Sequence, residues 1–250
     1  MAQAKILVVE DESIVALDLQ HRLTGMGYSV PAVAASGQDA LKKAAEIHPD
    51  LVLMDIRLKG DMDGIEVAEQ IRQLFDAPPV YLTAYADEDT LQRAKITEPF
   101  GYIVKPFDER TLRSTLETAL YRSQAERKLR QSEAWLKAAL RSVGEAVIAA
   151  DDNCRVVLMN PAAETLTGWK QEEAMSHDLS QIFQIASGGT PVPAEDLLKM
   201  VCEGRAEADL TNHSLRLARG GEAVPVDGKA VPVLGSNGAA KGIVLGLRKS

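Results

Sequence analysis

The stretch LVLMDIRL occupies residues 51–58 and places four apolar residues directly before Asp55. Similar short apolar runs occur in the first half of the chain at 6–9, 80–82, 102–104 and, more weakly, 29–33. Apolar runs without polar alternation are typical of parallel strands that are buried on both faces. Amphipathic stretches accompany them at about 13–25, 37–47, 64–74, 88–95 and from 108 onward. This alternation predicts an α/β domain with a doubly wound, five-stranded parallel sheet.

Acidic residues follow two of the predicted strands. Glu10 and Asp11 come directly after the first strand, and Asp55 directly follows the apolar run at 51–54, the third strand along the chain. Because ligands of an open α/β sheet bind beyond the carboxyl ends of its strands, we expect these carboxylates to converge. Three close carboxylates repel one another unless one is protonated or a cation joins them. An all-oxygen set of this size suits Mg²⁺, so the sequence predicts a magnesium site.

A hydroxyl and an ammonium group belong to the same predicted edge. The fourth strand ends in Thr83, and the fifth ends in Lys105, which Pro106 follows. An aspartate beside a cation, a lysine and a hydroxyl is equipped to accept a phosphoryl group. The cation and the lysine neutralise charge on the transferring oxygens, and the carboxylate is the nucleophile.

The motifs that carry these residues resemble the receiver domain of response regulators, a CheY-like domain with a flavodoxin-like fold. The resemblance covers about residues 4–121 and is highly specific. Its motifs are VVEDE at 8–12, LVLMDIRL at 51–58, MDG at 62–64, YLTAY at 81–85 and GYIVKPF at 101–107.

The resemblance implies a role for each acidic residue. Asp55 would be the phospho-acceptor. Mg²⁺ would be held by Glu10, Asp11, Asp55 and the backbone carbonyl of Arg57. Glu10 stands where many members of the family have aspartate, which changes the length of the side chain and not its charge.

The resemblance also implies which residues respond to the phosphoryl group. Thr83 would be the switch hydroxyl, Tyr102 the switch aromatic residue and Lys105 the lysine that pairs with the phosphate. The Lys105–Pro106 peptide bond would be cis, a geometry that X–Pro bonds tolerate.

A long segment without proline or glycine, from about 108 to 141, predicts one helix that leaves the first domain. Leu129, Leu136 and Val143 recur every seven residues, in a partial seam that Arg122 and Glu133 interrupt. A dimeric coiled coil and a monomeric helix packed on its own domain both agree with this pattern.

The pattern changes near residue 142 to short strand-like pieces separated by turns. Strands are predicted at 146–150, 155–159, 214–218, 222–233 and 242–247, with helices at about 161–175 and 194–203. The segments VIAADDNCRVVLMNPAAETLTGW (147–169), LARGGEAVPVDGKAVPV (217–233) and KGIVLGL (241–247) resemble a PAS sensor domain over about residues 133–250. That resemblance implies an α+β domain with an antiparallel sheet.

The resemblance points to no PAS cofactor. Cys154 lies in the first predicted turn, which is the wrong context for a flavin-reactive cysteine. His177 and His213 both lie outside the helix at 194–203, where a haem ligand is expected. A ligand-free dimerising or relay module is the preferred interpretation, and an apolar ligand pocket remains an alternative.

Composition excludes several classes of function. A formal net charge of -8 and the lack of a basic patch argue against nucleic-acid binding. No apolar run approaches the roughly 18 residues of a membrane helix, and the first residues, MAQAKILVVEDES, lack the order of a signal peptide. We therefore expect a cytoplasmic protein that does not contact membranes, with Cys154 and Cys202 as free thiols.

These observations predict a receiver domain (1–121), a helical connector (122–141) and a PAS domain (142–250). The predicted function is a two-component response regulator that accepts a phosphoryl group from a histidine kinase or phosphotransfer protein. It would relay this state to the PAS domain by altered association, as a homodimer. It would be a switch and not an enzyme, beyond self-phosphorylation from small donors and autodephosphorylation. Two alternatives are the N-terminal regulatory part of a longer hybrid histidine kinase and a ligand-sensing PAS protein with the receiver as secondary input.

Overall fold

The chain forms two compact units, Met1–Gln131 and Ser132–Ser250. The computed structural model describes residues 3–58, 62–84, 99–186, 200–201, 207–211, 213–217, 219 and 223–250. Each unit has its own buried apolar core.

The first unit is built on a parallel sheet, which confirms the predicted fold. Its strands are β1 (Lys5–Val9), β2 (Ser29–Ala34), β3 (Leu51–Asp55), β4 (Pro79–Ala84) and β5 (Gly101–Lys105), in the order β2-β1-β3-β4-β5. This is the flavodoxin-like strand order, whose direction of winding reverses between β1 and β3. The carboxyl ends of those two strands therefore lie side by side where a ligand site is expected.

Helices cover both faces of this sheet. They are α1 (Ser13–Gly25), α2 (Gly37–Ile47), α3 (Gly64–Phe75) and the first part of α4 (Glu109–Ser142). Alternate residues of β3 divide between two cores: Leu51 and Leu53 pack with α1 and α4, and Val52 and Met54 pack with α2 and α3. Because both faces of β3 are buried, its sequence before Asp55 is a continuous apolar run. The helix predicted at 88–95 lies outside the described residues.

The predicted long helix is confirmed as α4, a single helix of 34 residues. Its apolar side chains are buried through Leu120, and Ser123 is the last buried residue. Although α4 is long enough to cross a bilayer, neither it nor any other described helix is sufficiently apolar to do so.

The second unit is an antiparallel sheet with short helices, as predicted. Its strands are β6 (Ala146–Asp151), β7 (Val156–Met159), β8 (Phe183–Ala186), β9 (Ala208–Asp209), β10 (His213–Leu217), β11 (Ala223–Leu234) and β12 (Ala240–Lys249). The order is β7-β6-β12-β11-β10-β8, and β9 pairs with β11. The helices are α5 (Pro161–Thr167), α6 (Gln171–Ala174) and α7 (Leu179–Ile182).

Two expectations for the second unit are wrong, and two of its strands were not predicted. The helix at 161–175 is interrupted, because Gly168 adopts a left-handed φ of 72° and ends α5. The strands that were not predicted are β8, which begins directly after α7 without a turn residue, and β9, which has only two residues. Cys154 is disulfide-bonded and therefore not a free thiol. A disulfide requires two Cα atoms within about 4.4–6.8 Å, which spacing along the sequence does not reveal. The helix predicted at 194–203 lies almost entirely outside the described residues.

The buried side chain of Asn160 ties three elements of the second unit together. Its Oδ1 accepts hydrogen bonds from the backbone amides of Val147 in β6 and Ala163 in α5, each at 2.9 Å. Its Nδ2 donates to the carbonyls of Glu145 at 2.8 Å and Leu140 at 3.1 Å. Leu140 lies in the last turn of α4, whose carbonyls have no partner within the helix. One amide therefore satisfies backbone groups of α4, β6 and α5.

We predict that Asn160→Ala lowers the free energy of unfolding of the second unit by about 2–4 kcal/mol, because several buried backbone groups lose their partner. Chemical denaturation followed by Trp169 fluorescence measures this change. Asn237→Ala is the matched control, since Asn237 accepts one backbone hydrogen bond in an exposed turn. Equal losses in the two variants would contradict the central role of Asn160.

Candidate functional site

The acidic residues converge at the carboxyl edge of the first sheet, as its parallel strands predicted. β1 and β3 pair directly, with Val9 opposite Met54, so the residues that follow these partners become neighbours. Carboxylate oxygens of Glu10, Asp11 and Asp55 lie within 4.8 Å of one another. Glu10 and Asp55 are buried, and Asp11 is partly exposed.

Lys105 at the end of β5 holds two of these carboxylates. Its Nζ lies 2.6 Å from Glu10 Oε2 and 2.6 Å from Asp55 Oδ2. The lysine side chain is itself mostly buried, so both ion pairs are shielded from solvent. One ammonium thus offsets part of the repulsion between two buried acids.

This arrangement changes the proton affinity of the paired groups. Burial raises the pKa of Glu10, and the negative charge of Asp55 adds to the increase, while the Lys105 hydrogen bond only partly offsets it. Burial lowers the pKa of Lys105, but its hydrogen bonds with Asp55 and Glu10 outweigh that effect and raise the pKa. The lysine therefore stays charged over the physiological range.

The donor set fits Mg²⁺. Three carboxylates around one point supply oxygen ligands, and Mg²⁺ binds few such ligands while keeping several waters. The charge balance also fits, since three acids are opposed by one lysine and retain a net affinity for a cation. The backbone amide of Arg57 donates to Asp55 Oδ1 at 2.9 Å. The role of the Arg57 carbonyl as a ligand stays a prediction.

Gly64 allows α3 to begin against the backbone of Asp55. The Gly64 amide donates to the Ile56 carbonyl at 3.0 Å, and a Cβ at position 64 would lie 1.9 Å from the Asp55 carbonyl oxygen. No other residue type fits this contact without moving the backbone. Gly64 belongs to the MDG motif, but the sequence alone did not indicate that this glycine lets α3 approach Asp55.

The two predicted switch residues lie on adjacent strands. The Thr83 hydroxyl is partly exposed and donates to the Ala84 carbonyl at 3.3 Å. The Tyr102 ring packs against the buried ring of Tyr81, with centroids 5.9 Å apart. Burial raises the pKa of Tyr102, and within the described residues its buried hydroxyl has no hydrogen-bond partner. Sequence reasoning did not identify Tyr81 as a contact, because strand register determines which aromatic rings meet.

The Lys105–Pro106 peptide bond is cis. Only residues 106–108 separate β5 from α4, so the lysine of the site is joined to the long helix by a very short connection.

The residues considered for a PAS cofactor lie in three different segments of the second unit. Cys154 lies in the β6–β7 turn with a left-handed φ of 59°. The His177 ring lies 5.5 Å from the ring of Trp169. His213 begins β10, and its Nδ1 lies 3.0 Å from the Thr211 carbonyl.

Two family models match different parts of the chain. Residues 6–117 match the family model of the response regulator receiver domain, and residues 135–249 match that of the PAS fold.

Similar curated proteins are regulators. The transcriptional regulatory protein PdtaR of Mycobacterium tuberculosis is 38% identical over 119 residues, which are 47% of this chain and 57% of PdtaR. The phyllosphere-induced regulator PhyR of Methylorubrum extorquens is 31% identical over 125 residues, or 50% of this chain and 46% of PhyR. The match thus spans about half the length of these relatives.

A similar solved structure is the signal receiver domain of a modulated diguanylate cyclase from Desulfovibrio desulfuricans G20. It is 35% identical, with a TM-score of 0.48, and the match covers 50% of this chain and 99% of that one.

We predict that Glu10→Gln stabilises the first unit at pH 7 in metal-free buffer. The folded pKa of Glu10 is raised above its ordinary value of 4.5. The stability that protonation contributes is therefore fully present below about pH 4.5 and is lost as the pH rises through the raised pKa. Glutamine keeps an acceptor for Lys105 without a buried charge.

Urea denaturation of the Glu10→Gln variant at pH 7 and pH 4, in the presence of a chelator, measures the effect. The stabilisation is expected at pH 7 and should shrink at pH 4. Glu12→Gln is the exposed control. A Glu10→Gln variant that is less stable than wild type at pH 7 would contradict this account.

We predict that Gly64→Ala displaces the Asp55 backbone and destabilises the first unit by about 3 kcal/mol, the upper end for an overpacked site. Circular dichroism during denaturation measures the loss. Gly25→Ala is the matched control, because Gly25 ends α1 with no atom within 4 Å of an added Cβ. If the two glycine variants were equally stable, the close approach of α3 to Asp55 would not matter.

Proposed function

Since this chain carries a response regulator receiver domain followed by a PAS domain, we propose that it is a two-component response regulator that is phosphorylated on Asp55. The supporting observation is the shared ion pair of Lys105 with Asp55 and Glu10 inside the acidic cluster. The partner would be a histidine kinase or phosphotransfer protein that supplies the phosphoryl group from a phosphohistidine.

The chemistry of the transfer follows from the residues around Asp55. An Asp55 carboxylate oxygen attacks phosphorus, the phosphorus–nitrogen bond of the donor breaks, and the donor imidazole keeps the electron pair. Bound Mg²⁺, held by Glu10, Asp11 and Asp55, would supply neutralisation of charge on the transferring oxygens. The Arg57 amide holds Asp55 Oδ1 at 2.9 Å and limits rotation of the carboxylate.

The ion-pair partners of Lys105 would change when Asp55 is phosphorylated. Before transfer its ammonium pairs with Asp55 Oδ2 and Glu10 Oε2. Phosphorylation replaces the Asp55 carboxylate with a group that carries about -1.5 to -2 charges and three acceptor oxygens. The lysine then exchanges a carboxylate partner for a phosphate partner.

Two further groups near the site have hydrogen bonds to gain. Among the described residues, the Thr83 hydroxyl makes one hydrogen bond, to the neighbouring Ala84 carbonyl at a long 3.3 Å, so it can turn to a new partner. The Tyr102 hydroxyl is buried without a partner among the described residues. We propose that Thr83 turns toward the phosphoryl group and that Tyr102 changes position in response.

The output of this switch would be altered association of the chain. Tyr102 and Lys105 lie on β5, and α4 begins after three further residues. A movement of β5 would therefore also move the start of α4, the helix that continues into the second unit. The chain would act as a phospho-accepting switch and not as a catalyst, apart from self-phosphorylation by small donors and hydrolysis of its own phosphoaspartate.

Phosphorylation by acetyl phosphate, with and without Mg²⁺, tests the proposal when intact mass and solution size are read together. We expect a single added phosphoryl group on wild type, dependent on Mg²⁺, and none on Asp55→Asn. Asp18→Asn, on the exposed surface of α1, is the control and should be modified like wild type. Equal modification of wild type and Asp55→Asn, or no modification of wild type, would overturn the proposal.

A further inference from the structure

One face of α4 is fastened to the first unit by ion pairs. Arg127 donates from Nη2 to the Asp76 carbonyl at 2.6 Å and from Nε to Asp76 Oδ2 at 3.2 Å. Arg130 Nη2 lies 2.7 Å from Asp76 Oδ1. The buried Ser123 lies on the same face of the helix. We call the Asp76, Arg127 and Arg130 contacts the latch; together with the buried side chains of α4 through Ser123 they set the rotation of α4 about its axis.

The opposite face of α4 is apolar, small and open to solvent. Five exposed residues of this face and the exposed residue directly after the helix are spaced alternately by four and three. We call them the seam: Ala125, Leu129, Ser132, Leu136, Ala139 and, after α4, Val143. Leu129 and Leu136 are 61% and 62% exposed, and they lie seven residues apart on this one face rather than scattered over the surface. In heptad notation Leu129, Leu136 and Val143 occupy a positions, and the three small residues occupy d positions. The latch residues occupy b and f, so the latch leaves the seam free.

Arg122 interrupts the seam in the sequence, but in the structure its side chain contacts Phe100 and Glu126. Arg122 would occupy the preceding a position. Its guanidinium lies 4.7 Å from the centre of the Phe100 ring, and its Nε lies 2.9 Å from Glu126 Oε1. The seam therefore begins at Ala125.

Charges beside the seam identify the partner as a second copy. Lys128 occupies a g position, and Glu133 occupies the e position of the following heptad. These are the two positions that meet between parallel helices in register, so each copy would contribute one Lys128–Glu133 pair with the other. Trp135 and Leu140 form an apolar pair by the same rule. In an antiparallel pair e faces e, and Glu126 and Glu133 would meet like charges.

We infer that residues 125–142 of α4, with Val143 directly after them, pair with the same segment of a second copy of this chain, parallel and in register, with the latch fixing which face is presented. This inference deepens the proposed function, because it names the association that phosphorylation would alter. The seam spans fewer than three heptads and has small residues at d. Such a pairing is weak by itself, so a modest change in the first unit can shift its occupancy.

Cysteine cross-linking of the full chain tests the register. Ala125→Cys, Ser132→Cys and Ala139→Cys place one thiol each at successive d positions, and Gln124→Cys, Gln131→Cys and Ala138→Cys place it at exposed c positions as matched controls. Wild type supplies the background of the native cysteines. Mild oxidation is followed on non-reducing gels, with and without acetyl phosphate and Mg²⁺.

The inference predicts that all three d variants form covalent dimers about tenfold faster than their c neighbours in at least one of the two states, because only d thiols face each other across the seam. An antiparallel pair brings at most one position to its own copy. Cross-linking at one d position only, at none, or equally at c and d overturns the inference.

A second variant separates loss of pairing from loss of folding. Leu136→Asp should raise the dimer dissociation constant at least about tenfold, since a charge replaces a buried leucine. Ala138→Asp adds the same charge away from the seam and should leave association unchanged. The mass of phosphorylated protein is recorded for each variant. Failed cross-linking with normal Asp55 phosphorylation overturns the seam alone, and failed phosphorylation with intact cross-linking overturns the proposed function alone.

Discussion

The site depends on one lysine that holds two buried carboxylates. Without the ammonium of Lys105, Glu10 and Asp55 would lie at the end of a parallel sheet as unpaired like charges, at a cost of several kcal/mol for each buried ion. The pair is possible because β1, β3 and β5 end at the same edge of the sheet. The same contact links the acidic cluster to β5, and through β5 to the start of α4. Lys105 therefore balances the charge of the site and also joins the acidic cluster to the strand that precedes the long helix.

Much of this arrangement could be predicted because parallel strands impose their order on the residues that follow them. The continuous apolar runs identified the buried strands, and the carboxyl ends of those strands had to share one edge. What could not be predicted depends on distances of a few ångströms. The contact of Gly64 with the Asp55 backbone and the packing of Tyr81 on Tyr102 arise from helix placement and strand register. The second unit was harder, because a left-handed Gly168 and the four-residue β8 leave little periodic signal.

The long helix shows how structure resolves a pattern that sequence leaves open. A seven-residue repeat agrees equally with packing on the chain's own domain and with pairing between chains. Here one face of α4 carries Arg127 and Arg130, which bind Asp76, and Leu129 and Leu136 on another face remain exposed. The proposed pairing between chains would use that exposed face. At its far end, α4 offers the Leu140 carbonyl to Asn160, whose side chain also joins β6 and α5. Polar contacts thus hold α4 at Arg127 and Arg130 and again at Leu140, while Leu129 and Leu136 between them stay exposed.

The central claim is that the carboxylate held by Lys105 accepts the phosphoryl group. Reductive trapping tests this most directly, because borohydride converts an aspartyl phosphate into homoserine that peptide mass spectrometry can locate. After reaction with acetyl phosphate and Mg²⁺, the account predicts homoserine at position 55 and at no other aspartate of the acidic cluster. Homoserine at Asp11, or phosphate that is recovered only on serine, threonine or histidine side chains, would contradict it.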